Sequence, residues 1–252
     1  MADLRATLPV AALLLAPVTT LGWAQQFRVE TEVFEAEGKQ PIAESLTLFS
    51  GDVVYDFVLG ETPETTMFDI RRGRIVTLDP NRKIQTVLTT ENLLEFCTAM
   101  KTRPASSGNE GLFHPQFQTA FDETARVLTL SSDTLVYQSR GEVPKDAEAA
   151  ARYQQFADWY ARLNAFRPGN LPPFGRIELN RALAERNLVP MEVTRTVTMK
   201  RTLGSKRLVH RSVHHIHWTI SNSDRSRIET VGDQLTSFPQ VAVKDYWAPG
   251  TE

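Results

Sequence analysis

The chain has 252 residues, 28 Lys and Arg against 30 Asp and Glu, a formal net charge of -2, and 41 % hydrophobic residues. That composition is ordinary for a globular protein and excludes wholesale disorder, a collagen-like repeat and a polytopic membrane protein. A pI near 6.2 lacks the basic excess expected of a dedicated nucleic-acid binder, and the single cysteine, Cys97, excludes an intrachain disulfide framework and any multi-cysteine zinc or iron–sulfur site.

Residues 1–24 read as a secretory signal. An apolar run from Pro9 to Val18 is followed by Gly22 and Ala24 at the spacing of a signal-peptidase site. The run is shorter than the roughly 20 residues a bilayer span needs. The expectation is an exported protein, periplasmic or secreted, with no transmembrane segment after cleavage and one domain over residues 25–252.

Strands dominate the first part of that domain. Phe27 to Val33 alternates apolar or β-branched with charged residues, the period of a half-buried strand. Glu44–Ser50 and Val53–Leu59 follow, joined by Gly51-Asp52 as a hairpin. Further strands are expected over Thr65–Arg71, Arg74–Leu78 and Lys83–Thr89, the last two separated by a turn at Asp79-Pro80. The connections are too short for crossover helices, so the runs form an antiparallel meander.

A helix is expected from Glu91 to Thr102 with Thr90 as N-cap. Leu93, Leu94, Phe96, Cys97 and Met100 share its face. Cys97 there reads as a small buried hydrophobe. Arg103 to Gly111 is loop-like, and strands follow at Phe117–Phe121, Ala125–Ser131 and Thr134–Ser139. Asp146–Phe166 carries an apolar stripe at helical spacing: Tyr153, Phe156, Ala157, Tyr160 and Leu163. A second helix opens after Pro172-Pro173 and ends near Asn187. Pro190 returns the chain to a long hairpin, Val193–Thr202 and Lys206–Ile220. Ser221 to Asp224 then caps a last helix, and the tail to Trp247 adds a short edge segment.

About eleven strands and four helices in blocks define an α+β fold with a mainly antiparallel sheet. So large a sheet must curl, close or be covered. The expected form is a strongly curved, incomplete barrel covered by helices, enclosing an apolar trough. Phe68 to Val87, in which a strand, a Gly73 turn, a strand, the Asp79-Pro80 turn and another strand succeed each other, resembles the meander of LolA-like periplasmic lipoprotein carriers. The resemblance spans residues 27–89. It departs from that group in opening on a strand at Phe27 and in the size of the helical pair between Asp146 and Leu188. It implies a half-barrel fold and maps no ligand-contact residue. Function does not follow from fold alone.

Four of the five histidines lie in His210–His217. Strand alternation puts His215 and His217 on one face and His210 and His214 on the other. No face gathers three, so no metal site is assigned; His215 and His217 are the weak candidates. Asp52 and Asp56 read as turn-forming and solvent-facing. No zinc-protease, nucleophile-elbow or phosphate-loop motif is present. The expected function is therefore binding, without catalysis or cofactor. A lipid, lipoprotein or other hydrophobic ligand would sit in the trough, walled by Val53, Tyr55, Phe57, Met67, Val197 and Trp218. The alternatives are an envelope module that binds a protein partner and has no small-molecule site, and a metal-dependent hydrolase on the histidine strand.

Overall fold

The structure, a computed structural model, describes residues 26–36, 38–102, 110–146, 148–167, 169–200 and 204–248. The expected leader at residues 1–24, most of the loop at 103–111 and the turn at 201–203 lie outside them.

Eleven strands build one open antiparallel sheet. They are β1 (Phe27–Glu35), β2 (Ala43–Ser50), β3 (Val53–Leu59), β4 (Glu64–Asp69), β5 (Arg74–Asp79), β6 (Ile84–Thr89), β7 (Gln118–Asp122), β8 (Val127–Ser131), β9 (Leu135–Glu142), β10 (Val189–Lys200) and β11 (Ser205–His217). The order is β6-β5-β4-β3-β2-β1-β11-β10-β9-β8-β7. Two meanders run outward from a central β1–β11 pair, and β6 and β7 are the edges. The helices are α1 (Thr90–Thr102), α2 (Glu110–Phe113), α3 (Ala149–Phe166), α4 (Phe174–Ala184), α5 (Asn222–Ser237) and α6 (Val243–Tyr246). The class is α+β, as the blocks of alternation predict. Among the described residues no helix is long and apolar enough to cross a membrane.

The register fixes two faces. Thr47 pairs with Asp56 and with Val29, Thr31 with His214, and Arg195 with His210 and Tyr137. Those residues share one side, because side chains alternate along each strand. The same side meets α3. Phe156 stands edge-on to Phe49 of β2 at 5.5 Å and to Phe68 of β4 at 5.2 Å. α4 joins β8, β9 and β10 in a second core of Leu128, Leu130, Leu135, Leu179 and Leu183. On the opposite side Leu46, Leu48, Phe57, Met67, Val76 and Leu78 form a third core with Val231 of α5. Both faces of the left half of the sheet are thus buried, which explains strands such as β4 with apolar residues at consecutive positions.

Two local departures from the sequence reading have clear causes. The cap of α1 is Thr89, one residue earlier than expected: its hydroxyl accepts from Asn92 N at 3.1 Å, and the Asn92 side chain reaches back to Thr89 N. Thr90 instead donates to the Gly73 carbonyl. β10 begins at Val189 rather than Val193, since the register shift between Pro190 and Glu192 accommodates the proline. The tail adds the expected edge contact, a parallel bridge from Gln240 to Gln85 of β6, and then the short α6.

The Ser221 cap forms as expected. Ser221 Oγ accepts from Asp224 N at 3.1 Å, Asp224 Oδ2 accepts from Ser221 N at 2.7 Å, and Arg28 of β1 lies 3.4 Å from the same carboxylate. The hydrogen bonds from Ser221 and the Arg28 charge offset burial and hold Asp224 below the usual carboxylate range. Ser221→Ala should cost about 1 kcal/mol, read as a lower urea midpoint at unchanged slope. A change below about 0.3 kcal/mol would show that the cap adds nothing to α5.

Candidate functional site

A hollow of about 530 Å³ lies between the α3 face of the sheet and helices α3 and α4. Its sheet wall runs from β3 to β9 across the β1–β11 pair. Val29, Val33, Ala43, Phe156, Ala157 and Val193 supply apolar surface. Interspersed are groups that rarely share a simple core: Asp56, Arg176, Arg195, His210, His214 and three tyrosines, Tyr137, Tyr153 and Tyr160.

Asp56 is 2 % exposed and accepts a 2.7 Å hydrogen bond from Thr47 Oγ1 on the adjacent strand. Burial pushes its carboxyl up to about 6, against the Thr47 hydrogen bond and the Arg167 charge, with Glu64 adding repulsion. Tyr160 is raised in turn, first by the Asp56 charge and then by burial. The solvent-facing role expected for Asp56 is therefore corrected. Tyr55 and Phe57 occupy the α5 face, so Asp56 between them must point the other way, into the hollow. Asp52, by contrast, is exposed and pairs with Arg71 at 2.5 Å.

His214 is 5 % exposed. Both ring nitrogens meet hydroxyls at 3.0 Å, Nδ1 with Thr31 Oγ1 and Nε2 with Ser212 Oγ. Hydroxyls both donate and accept, so they satisfy the neutral ring in either tautomer. Burial, then the Arg176 charge and that of His215, pushes the imidazole down to about 3. The Ser212–His214 contact has the reach of a nucleophile–base pair, but the third position holds a Thr31 hydroxyl where a carboxylate would be needed to stabilise an imidazolium. A base that weak accepts a serine proton poorly near neutral pH. The arrangement favours a fixed, neutral hydrogen-bonding wall over acyl transfer.

The arginines are placed by α4 and β10. Arg176 Nε donates to Asn180 Oδ1 at 2.9 Å, one turn along α4, and Asn180 Nδ2 donates to Asp158 Oδ1 at 2.9 Å on α3. Arg195 Nη2 lies 3.3 Å from His210 Nδ1, and its buried Nε has no hydrogen-bond partner. Burial and the Arg195 charge together hold His210 below the usual imidazole range, against Glu35.

The residues expected to wall the trough lie elsewhere. Val53, Tyr55, Phe57 and Met67 belong to the α5-face cluster. Phe57 also borders a separate surface hollow beside Arg227 and Val231 of α5. Val197 is buried against the α4 core, and Trp218 lies 5.6 Å from the Phe27 ring at the edge of the α3 core. None of the six lines the large hollow. For Val53, Tyr55, Phe57 and Met67 the error is one of face, since β3 and β4 are apolar on both sides; Val197 and Trp218 share the hollow's side of the sheet but are taken up by the cores beside it. Thr47 and Asp56 carried a signal, since they are polar positions on β2 and β3 in the phase opposite to Leu46, Leu48 and Phe57, on strands apolar on both sides.

His210 and His214 do share a face, and it is the buried one. His215 and His217 are about half exposed and stand 3.6 Å from Glu32 and 3.4 Å from Glu30 on β1. Among the described residues no group of three or more His, Cys, Asp or Glu side chains is placed to hold a metal ion. Cys97 is buried on α1, and burial raises its thiol, opposed by Arg162 and Lys101. That suits packing better than nucleophilic chemistry. Neither a protein-family model nor a curated protein matches this sequence.

Proposed function

We propose that the protein is an exported, non-enzymatic carrier that holds a lipid, a lipoprotein acyl group or another hydrophobic ligand in the hollow beneath α3 and α4. In this reading the sheet arches as an incomplete barrel and the two helices are its cover. The observation that carries it is the hollow itself. At about 530 Å³ it has the size of a small-molecule site, and it is walled by strands from both meanders and by both helices. Apolar and polar groups from the sheet and both helices border it together, as in a site that holds one end of a guest in place. The open antiparallel sheet, the resemblance to LolA-like carriers over residues 27–89 and the signal-like leader support the same reading.

Native mass spectrometry of the protein purified without detergent, followed by lipid extraction, tests it. A co-purifying small amphiphile that reproduces between preparations is expected. A protein that is reproducibly empty, and binds no fluorescent fatty-acid probe at micromolar concentration, would rule the carrier reading out.

A further inference from the structure

Resting on that carrier reading, we infer that the hollow selects an amphiphile with an anionic oxygen head group, a carboxylate or a phosphate. Arg176 and Arg195 hold the head group at the Tyr137 end, while the hydrocarbon lies along Val29, Phe156 and Ala157.

The charge inventory points this way. Two guanidinium groups face the hollow, on Arg176 and Arg195, against one carboxylate, Asp56. Asp56 does not neutralise Arg195. It lies on β3 and Arg195 on β10, four strand steps apart in the sheet order, or roughly 19 Å at the usual spacing. The Arg211 guanidinium is turned to the other face, over the Phe34 ring at 4.5 Å. Glu35, cross-strand from His210, is exposed.

Arg176 and Arg195 form no ion pair with any described carboxylate, although other arginines of the chain do so freely, Arg28, Arg72, Arg74 and Arg181 among them. Arg176 Nε donates to Asn180, which in turn reaches Asp158, and the guanidinium also meets the Tyr153 phenol, so its partners on the hollow side are neutral. Arg195 keeps a buried N–H with no acceptor. The Tyr137 phenol is within electrostatic reach of both.

A buried donor without an acceptor costs free energy, and a partly buried cation without a counter-ion costs more. An incoming carboxylate or phosphate supplies acceptors for two guanidinium forks at once, the geometry arginine satisfies best. Apolar wall and cationic end together then match an amphiphile, where either alone would not.

Calorimetric titration with four probes tests this: palmitate, palmitoyl lysophosphatidate, neutral monopalmitoylglycerol, and inorganic phosphate. The wild type should bind palmitate or lysophosphatidate about ten- to a hundredfold tighter than the neutral glyceride, the range set by charged hydrogen bonds. Whichever acylated anion binds tighter identifies the head group. Arg176→Gln with Arg195→Gln should bring the anions down to the affinity of the glyceride in the same variant, and a variant that keeps the wild-type preference overturns the inference. Equal binding of glyceride and anions by the wild type overturns the anionic selectivity and keeps the carrier. Inorganic phosphate binding as tightly as the acylated anions supports the anion site and overturns the carrier. No binding of any probe overturns both.

A measurement on the wild type covers the case in which the variants fold poorly. Palmitate labelled with ¹³C at the carboxyl should stay ionised in the complex to a pH at least one unit lower than in the same assay without protein. A bound carboxyl that protonates at the same pH or higher overturns the inference.

Discussion

Replacing Phe49 with alanine is expected to remove about 3–5 kcal/mol of folding stability, the range for truncating a buried phenylalanine. Phe49 is fully buried. It stacks on Phe27 of β1 at 4.0 Å and stands against Tyr153 and Phe156 of α3 at 6.2 and 5.5 Å. Phe156 continues the chain of rings to Phe68 and Tyr160. One side chain therefore ties β1, β2 and α3 together, and its loss leaves a void lined by rigid rings that collapse poorly. A lost fraction of 3–5 kcal/mol is large against the 5–15 kcal/mol typical of folded domains. Urea unfolding measures it. Leu94→Ala, at an exposed position on α1, should stay within about 0.5 kcal/mol. If Phe49→Ala cost no more than that control, α3 would not be anchored to this face, and the hollow beneath it would lose its roof.

The same aromatic chain shows what the sequence made legible. The alternation in Phe27–Val33 and the Gly51-Asp52 turn placed β1, β2 and β3 to within a residue or two, because short connections leave an antiparallel meander little freedom. Gly51 takes the left-handed φ of 58° in that turn, as a glycine can without strain. The stripe of Tyr153, Phe156, Ala157 and Leu163 on α3 is buried as its spacing requires. Face assignment failed where both faces are covered. Alternation says which residues share a side; only tertiary packing says which side meets α3 and which meets α5. The candidate site suffered most from this, since Asp56 looked like a solvated polar residue between the apolar Tyr55 and Phe57. Arg176 and Arg195 converge on Tyr137 from a helix and a strand far apart in the chain, a juxtaposition no local spacing encodes.

Asp56 and His214 lead to the last expectation, a flat pH profile that conceals two opposing slopes. Asp56 titrates near 6 in the folded chain against an ordinary value of 3.8. Its contribution to stability is complete below pH 3.8 and is lost as pH rises through about 6. His214 runs the other way, from 6.5 to about 3, so its contribution is complete above pH 6.5 and is lost as pH falls through about 3. Between roughly pH 4 and pH 6 each changes stability by about 1.4 kcal/mol per pH unit, with opposite signs. Smaller shifts keep the balance: burial lowers His210, adding to the His214 slope, and raises Asp158, adding to that of Asp56. Urea midpoints of the wild type should therefore vary little across that window. Asp56→Asn keeps an acceptor for Thr47 and removes one slope. It should be more stable than wild type at pH 8 by about 3 kcal/mol, the worth of a shift from 3.8 to about 6. It should then lose stability steadily as pH falls from 6.5. His214→Gln should show the mirror image, losing stability as pH rises from 4 to 6. The choice of window matters, because Asp69 and Asp79, held low by their arginine partners against the cost of burial, begin to lose their own contribution below about pH 4. An Asp56→Asn profile as flat as that of the wild type would mean that Asp56 carries no buried charge near neutrality. The two ends of the hollow would then differ only in their arginines.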